Sequence, residues 1–480
     1  MSPSRLLAAS AKRLLRWLRE PDLLIRAKAE LLKEMKSDPA LVNAARQQAL
    51  AEIKTRPEMT LDCQRELLSE VVERALWERE RAAAANALGF VDLCDFTETD
   101  LDANRKVLES FARLATFQPQ SLNWFVPHFD HVLRGGIRTI IAFVDYFRQA
   151  KGVRNRIIVY GRRSTDPSAY HQQIQVAFPD FPAEDVLAYS GDDPAMLPPA
   201  DAAIATLWTS AYHVLRVNDT TAKFYLVQDY EPLFYSAGTM SALIEATYRF
   251  GFWGICNTPG VADAYRRVSG APTQAFVPAV DRSVYYPLDP SQQKHAEGEP
   301  KTVVFYGRPG NDRNCFELGV RALRNVKRLL GDGVRIISVG AKWEPGQYDL
   351  DGVVENWGLL RTLEEVADLY RHCDAGLCFM QTPHPSYQPL EYMACGCPTV
   401  TNRNPANAWL LRHGENCLLA EPTASAVAEA VVGLLQDDEL SARIIRNGLL
   451  SVGSTDWQQQ MDIVFDFICK KTPAASEGRS

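Results

Sequence analysis

The chain has 480 residues, 46% of them hydrophobic and 23% charged, and its net charge at pH 7 is −7. This composition is typical of a globular protein of about three domains, and the negative charge argues against a nucleic-acid-binding protein. Its ten cysteines form no C-x-x-C pair, so we interpret them as reduced thiols of a cytoplasmic protein. No apolar run reaches the roughly 18 residues that a membrane-spanning helix needs. We therefore expect any membrane association to be peripheral, at the inner face of the plasma membrane.

Residues 1–117 are predicted to form an all-helical extension. Within it, residues 4–20 place leucines and Trp17 at helical spacing among arginines and one lysine, with no acid before Glu20. Such a basic amphipathic segment suits an anionic membrane surface, although a helix docked on the protein itself with its arginines in water would show the same pattern. The helices that follow would serve interaction or oligomerisation, and their sequence favours neither.

From residue 118 onward, short apolar runs alternate with helical stretches, which predicts parallel sheets with helices on both faces. We place a first α/β domain at 118–288 and a second at 289–455, with the polar stretch 289–301 as their linker. A helix at 456–472 and a disordered tail at 473–480 would end the chain. Thr258 and Thr362 are predicted N-caps, one in each domain.

The first domain carries two groups of candidate site residues. Gly135 and Gly136 lie between a strand and a helix, where glycine lets backbone amides approach a phosphate or sugar, although such a pair is often only a turn. Asp229 and Glu231, at the end of a later strand, are candidate catalytic carboxylates, and His213 is a candidate imidazole. Each of these three also has a structural interpretation. The neighbouring aromatic residues suit either a sugar platform or the core: Tyr230, Phe234 and Tyr235.

The second domain opens with a strand followed by a loop that contains Arg308 and Arg313. Two cations in a strand-to-helix loop with glycines make an anion site, whereas two solvated arginines are the alternative. Further on, the apolar run 375–380 predicts a strand, and Pro389 opens a short helix with Glu391 in its first turn. Glu391 would thus lie at the carboxyl edge of a parallel sheet, where ligands bind.

The stretch around Glu391 resembles the retaining glycosyltransferases of family 4. Their C-terminal domain carries two glutamates eight residues apart, and Glu391 matches the second of them, followed by the Gly396-x-Pro398 turn. Pro383 stands at the position of the first glutamate. The segment that takes its place, His384 to Tyr387, is similar to that of bacterial rhamnosyltransferases that build cell-surface rhamnans.

This resemblance implies a GT-B fold, in which two Rossmann-like domains face a cleft, and a role for each matching residue. Glu391 would bind the ribose of a nucleotide-sugar donor, Arg308 and Arg313 its pyrophosphate, and Gly358 and Leu359 its base. Gly135 and Gly136 would face the donor from the other domain. The sugar hydroxyls would meet His384 or Ser386, or backbone amides nearby, with Tyr387 completing the donor site.

The implied reaction transfers a sugar, with L-rhamnose from dTDP-rhamnose as the suggested donor, to a growing cell-surface polysaccharide or glycolipid. The anomeric configuration would be retained, and no metal or cofactor is expected. Residues 1–117 would then contact an anionic membrane or polysaccharide-assembly proteins. Two alternatives stay open: a nucleotide-sugar 2-epimerase, which shares the fold but needs no acceptor, and a catalytically degenerate transferase that acts as an assembly scaffold.

Overall fold

The computed structural model describes residue 51, residues 88–130 and 132, and residues 135–470 except 162–165, 192, 290–297 and 454. The basic segment 4–20, most of the predicted extension and the predicted tail lie outside the described residues. Phe90–Trp343 and the residues from Asp351 onward form one compact unit, which contains both sheets. Within the described part of the chain, no helix is long and apolar enough to cross a membrane.

The first lobe is built on a seven-stranded parallel sheet with the order β3-β2-β1-β4-β5-β6-β7. The first strand, β1, lies in the middle of the sheet, and the strand order reverses between β1 and β4. Open α/β sheets bind ligands at such a reversal. The inner strands are buried on both faces, as their continuous apolar runs predict. Their bounds are β1 Ser121–Pro127, β2 Arg154–Tyr160, β3 Val186–Tyr189, β4 Ala202–Ala205, β5 Ala222–Val227, β6 Trp253–Asn257 and β7 Thr273–Phe276.

The helices that the structure describes in this part of the chain are α1 Glu98–Arg113, α2 Gly135–Lys151, α3 Pro167–Gln175, α4 Trp208–Arg216, α5 Thr239–Tyr248 and α6 Pro259–Ser269. The first of them lies inside the predicted helical extension. Its Phe111 packs edge-on against Phe224 and Trp253, with ring centres 5.6 and 4.8 Å away. Because Phe111 shares the core of the first sheet, α1 packs as part of the first lobe.

The second lobe has a six-stranded parallel sheet with the order β10-β9-β8-β11-β12-β13. Its strands are β8 Lys301–Tyr306, β9 Val334–Val339, β10 Glu355–Gly358, β11 Ala375–Leu377, β12 Thr399–Asn402 and β13 Leu418–Ala420. Its helices are α7 Phe316–Leu330, α8 Leu363–Arg371, α9 Gln388–Ala394, α10 Ala424–Gln436 and α11 Asp438–Gly453. The predicted pair of Rossmann-like domains is confirmed, as are the caps, since Thr258 and Thr362 accept from the N–H groups of Val261 and Glu365.

The last helix, α12 (Trp457–Ile468), follows the second lobe in the chain but packs on the first. Its apolar face joins the core of the first sheet through Val464, Phe465 and Ile468, among others. Beside this face, Asp462 accepts from Lys151 Nζ at 2.6 Å and from Tyr146 Oη at 2.7 Å. The chain therefore passes between the two lobes twice, once before β8 and again before α12.

Candidate active site

The two lobes meet where the loop 380–387, after β11, reaches the carboxyl edge of the first sheet. Tyr387 Oη lies 3.2 Å from Thr139 Oγ1, in the first turns of α2, and accepts from Asn257 Nδ2, at the end of β6, at 3.1 Å. These two contacts join residues far apart in the chain. The loop 380–387 is therefore the part of the second lobe that faces the Gly-Gly end of α2.

Gly260, in the first turn of α6, allows the backbones of the two lobes to approach each other. A Cβ atom at this position would lie 2.6 Å from the carbonyl oxygen of Ala406 and 2.7 Å from that of Pro383. Both oxygens belong to the backbone and cannot rotate away, so only glycine fits here.

The loop is held in place by two asparagines, Asn402 at the end of β12 and Asn404 just after it. Asn402 binds both backbone groups of Met380, accepting from its N–H at 2.8 Å and donating to its carbonyl at 2.9 Å. Asn404 donates to the carbonyl of Thr382 at 2.7 Å. These side chains replace the ladder bonds that the irregular backbone lacks, and they position the side chains that follow.

His384 is buried in this loop with a defined tautomer. Its Nδ1 accepts the backbone N–H of Ser386 at 2.9 Å, which places the ring proton on Nε2. Burial, aided by the charge of Arg313, lowers the pKa of His384 to about 3, so the ring is neutral. Ser386 has a left-handed backbone with φ of +69°, and its hydroxyl is bonded to the Gln388 side chain.

Arg313, in the short 3-10 helix Asp312–Asn314 before α7, crosses from the second lobe to the first. Its guanidinium carbon lies 4.1 Å from the centre of the Phe234 ring, and its Nε lies 3.8 Å from Asp229 Oδ2. Its carbonyl accepts the N–H of Gln381 at 3.0 Å, which fixes the arginine to the start of the loop 380–387.

Asp229 follows β5 at the carboxyl edge of the first sheet, with 13% of its side chain exposed. Burial raises the pKa of Asp229 to about 6, while the Thr382 hydroxyl, the charge of Arg313 and the N–H of Tyr230 oppose this shift. A carboxyl group that titrates near neutral pH in a cleft can accept or donate a proton.

The predicted phosphate-binding residues lie at the strand ends around this centre. Arg308 is half-buried, and its Nη1 lies 3.4 Å from Tyr306 Oη. In the other lobe, Gly135 opens α2 with a left-handed φ of +64°, and the carbonyl of Gly136 accepts from Gln228 Nε2 at 3.2 Å. The described geometry thus supplies a guanidinium from one side and a glycine-rich helix start from the other.

The predicted nucleotide-binding residues line the edge of the second sheet. Gly358 ends β10 with a left-handed φ of +68°, and its carbonyl accepts from the N–H of Gly340 at the end of β9. Leu359 follows with 65% of its surface exposed. Glu391 lies in the first turn of α9, as the sequence predicts.

Two of the predicted catalytic side chains are embedded in the first lobe. Glu231 is 2% exposed, and its Oε2 accepts from the N–H of Trp208, which starts α4, and from Tyr225 Oη. Burial raises the pKa of Glu231 to about 8. His213 is packed between Tyr160 and Tyr189, and burial lowers its pKa to about 4. Their predicted roles in catalysis stay predictions.

Sequence analysis missed three residues that shape the cleft: Thr139, Asn257 and Thr382. Asn257 ends a strand at the same sheet edge as Asp229, so the edge rule that identified Asp229 also applies to it. Thr139 and Thr382 have no comparable signal, because each is recognised only by its partner in the other lobe. Among the described residues, no group of three His, Cys, Asp or Glu side chains is arranged to hold a metal ion.

The chain matches known proteins in both lobes. Residues 121–255 match the WsaF N-terminal domain, and residues 301–432 match the WsaF C-terminal domain. The O-antigen biosynthesis protein RfbC of Myxococcus xanthus is 42% identical over 389 residues, which are 81% of this chain and 30% of RfbC. A phosphatidyl-myo-inositol mannosyltransferase of Mycobacterium leprae (strain TN) is 30% identical over 163 residues, 33% of this chain and 43% of that protein. The chain thus spans less than half the length of these relatives.

Solved structures share the architecture at low sequence identity. Sucrose-phosphate synthase from Thermosynechococcus elongatus superposes with a TM-score of 0.55 at 15% identity, over 73% of this chain and 98% of that one. Anabaena HepE in complex with UDP and glucose gives the same TM-score and identity, over 73% and 99%. WaaG, a glycosyltransferase involved in lipopolysaccharide biosynthesis, gives a TM-score of 0.51 at 13% identity, over 72% and 99%. The two lobes therefore form a GT-B fold, and the chain carries matches to both the WsaF N-terminal and the WsaF C-terminal domain.

Proposed function

We propose that this chain transfers a sugar from a nucleoside-diphosphate donor to a glycan or lipid-linked glycan acceptor. The observation that carries this proposal is the meeting of Arg313 and Asp229 between the lobes, 3.8 Å apart. Arg313 comes from the loop expected to bind the donor diphosphate, and Asp229 is a titratable carboxyl on the opposite wall. RfbC, named for O-antigen biosynthesis, and HepE, crystallised with UDP and glucose, support this class of reaction.

The phosphate end of the site consists of cations and backbone amides. Sugar transfer leaves a negative diphosphate, which is stabilised by charges held in place before the reaction starts. In our proposal Arg308 and Arg313 carry this charge from the second lobe, and Gly135 and Gly136 add the start of α2. With two arginines in this position, we expect the reaction to need no metal ion.

The acceptor end of the site lies in the first lobe. We assign Asp229 to the acceptor hydroxyl, which it would deprotonate, and we assign Glu231 to holding the start of α4 beneath it. A mechanism in which the leaving phosphate removes the proton would use Asp229 for orientation alone. Either route fits retention of the anomeric configuration, which we propose from the resemblance of the Glu391 region.

The nucleotide and the sugar of the donor are proposed from different residues. Gly358 and Leu359 would contact the base through backbone groups, and Glu391 would bind the ribose. The segment from His384 to Tyr387 favours L-rhamnose from dTDP-rhamnose over other donors. A catalytically degenerate scaffold is the second candidate, since Pro383 stands where the resemblance expects a glutamate.

A thermal-shift panel of nucleoside diphosphates tests the donor site. A ligand that binds only the folded state raises the melting temperature. At a ligand concentration 100 times its Kd, the folded state is stabilised by about 2.7 kcal/mol. We expect the largest rise with TDP, and loss of that rise in Arg308→Ala. Arg321→Ala, an exposed arginine on α7, is the matched control and should keep it.

An activity assay decides between transferase and scaffold. Donor hydrolysis or transfer that disappears in both Arg308→Ala and Glu391→Ala would exclude the scaffold. If no nucleoside diphosphate shifts the wild-type protein and no sugar is released, the transferase proposal fails.

A further inference from the structure

Two buried N–H groups beside the cleft have no acceptor among the residues that the structure describes. They are Nε2 of His384, a residue that is 5% exposed, and Nε of Arg313. An unpaired buried donor costs about 1–3 kcal/mol, so native proteins keep one only where something else compensates for it. Both groups are donors, and neither can accept in its present protonation state.

The tautomer of His384 is set by its own loop. The N–H of Ser386 points at Nδ1 from 2.9 Å, and the left-handed backbone of Ser386 aims it there. Because Nδ1 must accept, the proton has to be on Nε2. Ser386 therefore fixes His384 as a neutral donor through Nε2.

The two unpaired donors belong to elements that are joined. The N–H of Gln381 donates to the carbonyl of Arg313, and Thr382 lies beside Asp229, to which Arg313 is also paired. The charge of Arg313 contributes to the lowered pKa of His384. Two unpaired donors on joined elements at the cleft call for an acceptor that the described residues do not supply.

We infer that His384 is a neutral hydrogen-bond donor to a phosphate oxygen of the nucleoside diphosphate, beside Arg313. This inference rests on the proposed function. A phosphate oxygen accepts several hydrogen bonds and has no proton to place, whereas a sugar hydroxyl bound here would need an acceptor of its own. The carboxylate of Asp229, which is paired with Arg313, already accepts the Tyr230 N–H at 2.8 Å.

A pair of substitutions separates the two nitrogen atoms of the ring. Asn at 384 keeps an acceptor for the Ser386 N–H and removes the Nε2 donor, while Gln places an N–H group where Nε2 was. Free nucleoside diphosphate is titrated calorimetrically into the wild type, His384→Asn and His384→Gln, with melting temperatures measured without ligand. We expect affinity to fall about ten- to a hundredfold in His384→Asn, the loss typical of a hydrogen bond to a charged group. In His384→Gln the affinity for the diphosphate should stay within about threefold of the wild-type value.

The outcomes are distinguishable. Unchanged affinity for the free diphosphate in His384→Asn, with weaker binding of the nucleotide-sugar alone, would assign His384 to the sugar and overturn the inference. A lower melting temperature with unchanged affinity would make the residue purely structural and also overturn it. Absence of diphosphate binding by the wild type would overturn the proposed function together with it.

Discussion

Arg313 and Asp229 bring opposite charges together from two lobes without a hydrogen bond at Arg313 Nε. Charges that are shielded from water are costly unless they are paired, and here each stabilises the other only through space. The planar guanidinium is held against the face of Phe234. An arginine fixed in this way can donate to a phosphate and loses little further side-chain entropy when it does so.

The raised pKa of Asp229 gives a prediction for the pH dependence of transfer. A carboxyl that removes a proton must be ionised, and burial raises its pKa to about 6. The rate should therefore be full above this pH and fall as the pH drops through about 6. Initial rates from pH 5 to 8 should show this limb in the wild type and lose it in Asp229→Asn, which should also be slower by at least about a hundredfold.

Glu231→Gln is the control for this experiment. It keeps an oxygen for the Trp208 N–H and should leave the acidic limb in place. A limb that moves in Glu231→Gln but not in Asp229→Asn would transfer the role to Glu231.

The loop 380–387 is an element without regular structure, yet it makes several of the contacts between the lobes at the cleft. Asn402 and Asn404 fix its backbone, Tyr387 reaches α2 and β6, and Gly260 leaves room for the carbonyl of Pro383. Functional loops of this kind depend on a scaffold that fixes both of their ends. Here β11 fixes one end and α9 the other.

Gly260→Ala should prevent the lobes from meeting as they do in this structure. The added methyl would lie 2.6 Å from the carbonyl oxygen of Ala406, well inside contact distance. We expect a larger radius of gyration in solution scattering and at least about tenfold weaker donor binding, because the residues of the two walls separate. Gly433→Ala, in α10 with open space around it, is the control and should change neither. Unaltered scattering and affinity in Gly260→Ala would show that the contact is dispensable.

The molecule as a whole is closed by α12, which returns the chain from the second lobe to the core of the first. Phe465 packs against Phe147, with ring centres 5.0 Å apart, and the Lys151 ammonium lies over its ring. Because burial of apolar side chains stabilises the folded state, these contacts link the stability of the first lobe to α12.

Phe465→Ala should lower the free energy of unfolding by roughly 3 kcal/mol, the usual cost of a large-to-small change in a core. Urea denaturation measures this loss. Gln458→Ala, on the exposed side of the same helix, should stay within about 0.5 kcal/mol. A loss below about 1 kcal/mol in Phe465→Ala would mean that α12 contributes little to the first lobe.

Much of the fold could be predicted because its signals are local. The alternation of apolar runs and helical stretches after residue 118 predicts both parallel sheets, and Thr258 and Thr362 cap helices as expected. The packing of α1 on the first sheet could not be predicted, for a physical reason. A helical pattern does not show which surface covers it, and Phe111 of α1 is buried against strands more than a hundred residues away.

By itself, the sequence determined the two α/β domains, the arginine loop, the glycine pair at α2 and the position of Glu391 in a first helical turn. Each follows from side-chain periodicity, from a cap or from the backbone freedom of glycine within a few residues. Only the tertiary structure decided that Arg313 faces Asp229, that Tyr387 binds Thr139 and Asn257, and that His384 keeps an unpaired donor at the cleft. These facts depend on how the two lobes pack, and packing between distant segments leaves no periodic trace in the sequence.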